Sequence, residues 1–383
     1  MSASKAIIFG ALFFMVGIVA YSVAGFSYWI FISLILAGLA VGITAALNGY
    51  VYQTILFLII ISFLLGYFRA ATYYQDLNTE KTFWDDARMV LVSKIDQILP
   101  QPESALFGAM VFGYQKEIPK ELKNDFNRTG TTHILAISGM NISIVVLMLM
   151  NFGLMIGLWR RQAFWLALIG IVVFILLVGS PASAVRAGVM GALLLWAKNR
   201  GRLVLVWRPI VLAAFFMTIF DPSLLAFNIG FQLSFLAVVG IAYFNNFWSQ
   251  VFRWIPIKFA RELIAISMAA QITTWPIILY NFGTVSLISP IANIFIVPLL
   301  TPIMFLGLAF VVVFWSVQLV QLFLWPAWLI LHFVAKLVYW FGAISWASVN
   351  LGAGGLVFVL IYYPALIWFY KFLEKRNFNA LHQ

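Results

Sequence analysis

His133 and Ser138 are the residues of this chain whose types most invite a chemical reading. They lie in the run Thr131-Thr132-His133-Ile134-Leu135-Ala136-Ile137-Ser138-Gly139-Met140-Asn141, where a polar segment gives way to apolar sequence. An imidazole and a hydroxyl are parts of a nucleophilic pair. Their five-residue spacing puts them on divergent helix faces, so a catalytic pairing requires the helix to break. His133, Ser138 and Asn141 otherwise share an arc of roughly 140°. Polar groups in the first turns of a membrane span face a bundle interior or a water-filled path. Gly139 permits local unwinding, which would free carbonyls for solvent or ligand. An interfacial histidine and an inter-helix serine bond are the plainer alternative.

Further polar residues recur inside apolar stretches. Arg186 follows Ser180-Pro181-Ala182-Ser183-Ala184-Val185, and Ser180, Ala184, Gly188 and Ala192 form a small-residue row that lets a neighbouring helix approach. An arginine at a helix centre costs about 2.5–3.5 kcal/mol to insert, so it takes a partner or snorkels to the headgroups. With few acids nearby, the partner is a backbone carbonyl or an anionic substrate. Asn228 and Gln232 share a helix face, with Ser234 following. Ser267, Gln271, Thr274, Ile278 and Asn281 draw a mostly polar stripe along the next long span. Asn293 sits in a proline-bearing stretch. Such a stripe either lines an aqueous path or bonds other helices, each bond contributing about 0.6–2 kcal/mol. The histidines are His133, His332 and His382 only, the spans hold no paired carboxylates, and no zinc-protease or phosphate-loop pattern occurs. No cofactor or metal is expected.

The elements that position these residues are membrane helices. Hydrophobic residues make up 64% of the chain and charged residues 9%, with mean hydropathy +1.02. Cysteine is absent, which excludes disulfides. Residues 1–132 hold nine Lys/Arg and nine Asp/Glu, whereas 133–383 hold fourteen Lys/Arg against Asp221, Glu262 and Glu374. The expected fold is all-α, a polytopic bundle of about twelve spans. Residues 1–68 read as three spans (6–24, 28–47 and 51–68), the first an uncleaved helix rather than a signal peptide. Residues 69–132 read as an outward-facing amphipathic helical region, and 133–383 as the main membrane domain. Within 285–300, Pro290, Asn293 and Pro298 suggest a re-entrant segment, with a separate span near 301–319. Clusters at Arg160–Arg161, Lys198–Arg208 and Arg253–Arg261 then fall on one side, read as cytoplasmic.

Four blocks resemble the channel domain of the ComEC-type competence proteins, over roughly Ala105–Leu300. They are Pro119–Asn141 with Arg128-Thr129-Gly130-Thr131-Thr132-His133, the Arg186 block, Gly230-Phe231-Gln232-Leu233-Ser234-Phe235, and Gln271–Pro298 with Ser289-Pro290-Ile291-Ala292-Asn293. Members usually carry histidine where Asn141 stands and often where Asn281 stands, so two titratable groups are missing here. Many also carry an oligonucleotide-binding barrel and a metallo-β-lactamase-like nuclease domain. Residues 69–132 are too short and too helical for the first, and three scattered histidines do not suit the second. The chain therefore reads as the channel alone, not an enzyme.

The resemblance implies a channel for single-stranded DNA in the bacterial cytoplasmic membrane during natural transformation. His133, Ser138, Asn141, Arg186, Asn228, Gln232, Ser234, Gln271, Thr274, Asn281 and Asn293 would line it or contact DNA. Implied partners are membrane lipid, a cytoplasmic helicase-like ATPase, an extracellular DNA receptor and pilus, a separate nuclease and further copies of the chain. Competing readings are a secondary transporter of a small anionic solute with its site in the broken 285–300 stretch, an intramembrane hydrolase using Ser138 and His133, and an assembly scaffold.

Overall fold

A computed structural model describes residues 3–24, 51–73, 83–199, 207–350, 352 and 356–381. The chain forms two compact units, residues 1–80 with 189–235, and 81–188 with 236–383. The expected span at 28–47 lies outside the described residues.

In the first unit, α1 (Ala3–Ala24) packs along α2 (Val51–Ala71). A Cβ on Gly17 would stand 2.0 Å from the Phe63 carbonyl oxygen, and one on Gly66 would stand 1.9 Å from that of Phe14. The backbones meet because neither position has a side chain, as membrane helix pairs require. Helix α10 (Trp207–Phe220) joins them through Phe215, whose ring meets Phe14 edge-on at 5.2 Å. Arg69 donates to the carbonyls of Ile219 and Phe220, 2.8 Å each, and so caps α10. A short α11 (Ser223–Phe227) follows.

The second unit begins with α3 (Phe83–Asp96), α4 (Glu103–Phe112), α5 (Lys120–Arg128) and α6 (Thr132–Leu135). Long helices follow: α7 (Gly139–Met155), α8 (Arg160–Leu177), α9 (Ala182–Asn199), α12 (Ile229–Val251), α13 (Lys258–Phe282), α14 (Ser289–Val313), α15 (Val317–Ala343) and α16 (Leu356–Leu381). Two of these, α9 and α12, run across the boundary between the units. Two three-residue strands, β1 (Thr284–Ser286) and β2 (Ser348–Asn350), pair antiparallel with Val285 opposite Val349. Helices α8, α12, α13, α14 and α15 are each long and apolar enough to cross a membrane, and several apolar helices are shorter. The architecture is all-α.

Two expectations need correction. The polar region is helical, but α4 is not an amphipathic surface helix: every residue of Glu103–Phe112 is buried. A helix apolar on all sides has no face to give to water. It packs against α3, α6, α14 and α15, with Phe107, Phe112 and Phe310 meeting edge-on at 6.1–6.4 Å. The re-entrant segment is likewise absent. Residues 285–288 make a strand and turn, and Ser289–Val313 is one continuous helix. Pro290 occupies its first turn, where the missing N–H removes no bond, and the helix carries Pro298 and Pro302 within it. One helix long and apolar enough to cross stands where a dip plus a span was expected.

Proline in a buried helix creates a problem that α13 solves visibly. Pro276 cannot donate to the carbonyl of Ile272, four residues back. Tyr362 Oη donates to that oxygen at 2.8 Å, and Tyr363 Oη to the Thr273 carbonyl at 3.0 Å. Tyr362→Phe should therefore destabilise the bundle by about 1–2 kcal/mol, whereas in a Pro276→Ala background the same change should cost much less. Unfolding of the four variants in mixed micelles measures this cycle, and equal penalties would refute it. In the first unit, Gly66→Val should destabilise by at least about 2 kcal/mol through overpacking. By contrast, Gly191→Ala, with open space around it, should be near neutral in the same assay.

Candidate functional site

The run from Arg128 to Asn141 leaves α5, makes one turn of helix, breaks, and starts α7. At its outer end Thr129 and Thr131 are fully buried, their hydroxyls 2.7 Å apart, and Thr129 Oγ1 donates to the Asp125 carbonyl at 2.9 Å. Gly130 between them is left-handed, φ 67°, and a Cβ there would stand 2.7 Å from Ser289 Cβ and 2.8 Å from Ser286 Cβ. Only glycine fits both the dihedral and the space. Its carbonyl accepts from Ser289 Oγ at 3.4 Å and lies 3.2 Å from His133 Nδ1. The block at Ser289–Asn293 thus sits against the first block. Asn293, 6% exposed, donates to Ser267 Oγ at 3.0 Å and to Ser289 Oγ at 3.5 Å, while its Oδ1 has no hydrogen-bond partner among the described residues.

After α6 the chain extends through Ala136 to Ser138, and the helix restarts at Gly139. The freed carbonyls find donors: Gln115 Nε2 reaches Leu135 at 3.0 Å, and Ser183 Oγ reaches Ile137 at 2.5 Å. Ser138 caps α7, its Oγ accepting from Met140 N–H at 3.3 Å and donating to Asn141 Oδ1 at 2.8 Å. Asn141 is 0% exposed. Its amide nitrogen donates to the Met110 carbonyl at 3.0 Å and contacts Met304 Sδ at 3.5 Å. Both ends of its amide are therefore engaged, and one of them closes the C-terminus of α4.

Arg186 reaches this break from α9. It is 5% exposed, and a Cβ on Gly139 would stand 3.4 Å from its Nη2. The missing side chain at Gly139 lets the guanidinium lie against the first turn of α7, whose N–H groups carry partial positive charge. The break thus gathers electropositive groups. On the other side, Arg88 of α3 pairs with Asp85 at 2.7 Å and donates to the Val178 carbonyl at 3.1 Å, closing α8.

Beside the break lies a cleft of about 630 Å³, lined by residues of α3, of α5 and of the segment joining α4 to α5. Glu117, which follows the lining residue Lys116 in sequence, has its pKa raised by burial and by Asp96.

The structure brings together His133 with Asn293 through Gly130 and Ser289, and Ser138 with Asn141 and Arg186 through the break. The remaining predicted residues lie elsewhere. Asn228 Oδ1 accepts from Phe231 N–H at 2.8 Å, and Gln232 Nε2 donates to the Leu225 and Ala226 carbonyls at 3.0 Å, both capping α11–α12. Thr274 Oγ1 donates to the Ala270 carbonyl of its own helix at 3.0 Å, and Asn281 to that of Ile277 at 2.8 Å, in the open. Gln271 keeps a buried Oε1 without a hydrogen-bond partner among the described residues. Ser234 is half-buried in α12. His133 and Ser138 do not hydrogen-bond each other among the described residues, since each is engaged locally. Gln115, Ser183 and Ser289 were not singled out from sequence. Only the break, once seen, shows why a donor must stand at each.

The chain is similar to ComE operon protein 3 of Bacillus subtilis (strain 168), 29% identical over 219 residues, which covers 56% of this chain and 27% of that protein. It is similar also to the uncharacterized protein YcaI of Escherichia coli (strain K12), 29% identical over 230 residues, 55% of this chain and 29% of that one. The matches span less than a third of either relative's length. No solved structure matches. Residues 110–376, well over half of the chain, match the competence protein family, and the chain belongs to that family.

Proposed function

We propose that this chain is the membrane channel of a DNA-uptake system, conducting a single strand across the cytoplasmic membrane during natural transformation. The observation that carries this reading is the meeting of distant sequence blocks along one run that contains a broken helix. The turn of α9 bearing Ser183 and Arg186 closes on the break itself, and Ser286–Asn293 closes on Gly130 at the other end of residues 128–141. The break lies where the polar region joins the apolar bundle. A polyanion entering low dielectric needs compensating charge and exchangeable hydrogen bonds. Arg186 and the first turn of α7 supply the charge. Ser138, Ser183 and Gln115 already hold backbone groups that would exchange partners as the break opens. Asn293 and Gln271 each keep an acceptor to offer. Asn141, Asn228, Gln232 and Thr274 serve as positioning residues, because their bonds fix helix ends or their own helix.

The chemistry needed is conduction, with no bond made or broken, so the chain is read as a channel and not an enzyme. Movement then requires an outside motor, a helicase-like ATPase on the cytoplasmic side where the Lys/Arg clusters lie. Two competitors lose support. The transporter reading needed a broken helix at 285–300, and Ser289–Val313 is unbroken. The hydrolase reading needed Ser138 and His133 in one pair.

Arg186→Ala should lower uptake of labelled DNA at least about tenfold, the equivalent of losing one charge-assisted contact of ~1.4 kcal/mol. Membrane insertion should be unchanged, and Arg186→Lys should retain an intermediate level. Uptake assays in cells depending on this chain, with membrane fractions blotted in parallel, provide the measurement. Normal transformation by the alanine variant would overturn the role given to this cation.

A further inference from the structure

Of the cleft over the helix break, only Gln115 enters the reading above. Among its lining residues are Asp86, Arg88, Tyr114, Gln115, Lys116 and Lys123. Its volume of about 630 Å³ lies in the range of ligand sites, roughly 300–1,000 Å³. The charges do not all face outward on equal terms. Asp85 is matched by Arg88 at 2.7 Å, and the other terminal nitrogen of Arg88 is held by Val178. Among the lining residues Lys116 and Lys123, both exposed, are then opposed by Asp86, while Glu117, next to Lys116 in sequence, is engaged with Asp96. Two ammonium groups, one carboxylate and a phenol ring fit one ligand chemistry well, a phosphodiester joined to a flat base.

The floor of the cleft ties it to the break. Gln115 donates to the Leu135 carbonyl at 3.0 Å, and a Cβ on Gly113 would stand 3.1 Å from the Ile137 side chain. Anything seated there lies directly above the point where α6 ends.

We propose that this cleft seats one nucleotide unit of an incoming single strand before it reaches the break. Lys116 and Lys123 hold the phosphate and Tyr114 stacks the base. The inference rests on the channel reading and deepens it by giving the strand a place of entry. Asp86 repels the phosphate, which keeps the site shallow and lets the strand move on. A ligand that draws Gln115 away also releases the Leu135 carbonyl, so arrival in the cleft loosens the break below.

The test uses the full chain in phosphatidylcholine nanodiscs and a fluorescent oligothymidylate, with anisotropy read across a salt series. Joint Lys116→Ala and Lys123→Ala substitution should weaken binding about tenfold and flatten the salt dependence by about 1.4 in log–log slope, two phosphates at ~0.7 each. Asp86→Asn should tighten binding several-fold, and by more than Glu262→Gln, which removes an acid outside the cleft; equal effects would count against the cleft. Tyr114→Ala should weaken it with the salt slope unchanged. If the double lysine variant binds like the wild type, the cleft assignment fails and the channel reading, tested separately at Arg186, stands. If the wild-type chain binds no oligonucleotide, both fail together. If phosphatidylglycerol in the disc abolishes the lysine-dependent binding, the two lysines serve lipid headgroups and the proposal is overturned.

Discussion

A backbone carbonyl released inside an apolar bundle must find a donor, and most of the polar side chains here answer that demand. Leaving such a group unpaired costs about 1–3 kcal/mol, and water is not at hand to relieve it. Gln115 serves Leu135, Ser183 serves Ile137, Asn141 serves Met110, and Tyr362 serves Ile272 beneath Pro276. Arg69 and Arg88 do the same at the ends of α10 and α8, and Lys94 at Phe314. The break before α7, the freed carbonyl at Pro276 and these helix ends are therefore each paired with a named side chain from another segment. The fold can break α6 from α7 because two other segments, the link between α4 and α5 and the first turn of α9, hold the freed carbonyls.

That rule also explains what sequence reading reached and what it missed. The apolar runs located the long helices, since twenty apolar residues leave few alternatives in lipid. Gly139 pointed to an interruption, and the interruption falls one residue before it, at Ala136–Ser138. Polar residues inside spans were read as lining a passage. Asn228, Gln232 and Thr274 each bond backbone groups close by in the chain, and such a side chain leaves the same mark on the sequence as one facing water. The donor and its carbonyl lie far apart in number, 46 residues for Ser183 and Ile137. No periodicity within one segment can reveal such a pair.

Helix α4 escaped notice for a different reason. Its neighbours α3 and α5 are charged, so the averaged polarity of residues 69–132 hid ten residues with a single ionisable side chain, Glu103. That carboxylate is buried and meets His332 Nδ1 of α15 at 2.7 Å, under the stacked ring of Trp328. A short apolar stretch between amphipathic ones is ambiguous by pattern alone. The prolines of α14 misled in the opposite direction. They suggested a chain that turns back, yet Pro290 merely opens the helix, and Pro298 and Pro302 are carried within a well-packed rod. Membrane helices tolerate proline when neighbours support the backbone.

Gly130 carries a mechanical implication. Its backbone is clasped between Ser286 and Ser289 with no room for a methyl group. Those two serines flank the start of α14, and Ser286 is also registered against Ser348 by the β1–β2 ladder. A roll of α14 about its own axis would therefore be transmitted at once to the Arg128–His133 segment. The two parts are geared rather than hinged, and the segment and the helix must turn in step.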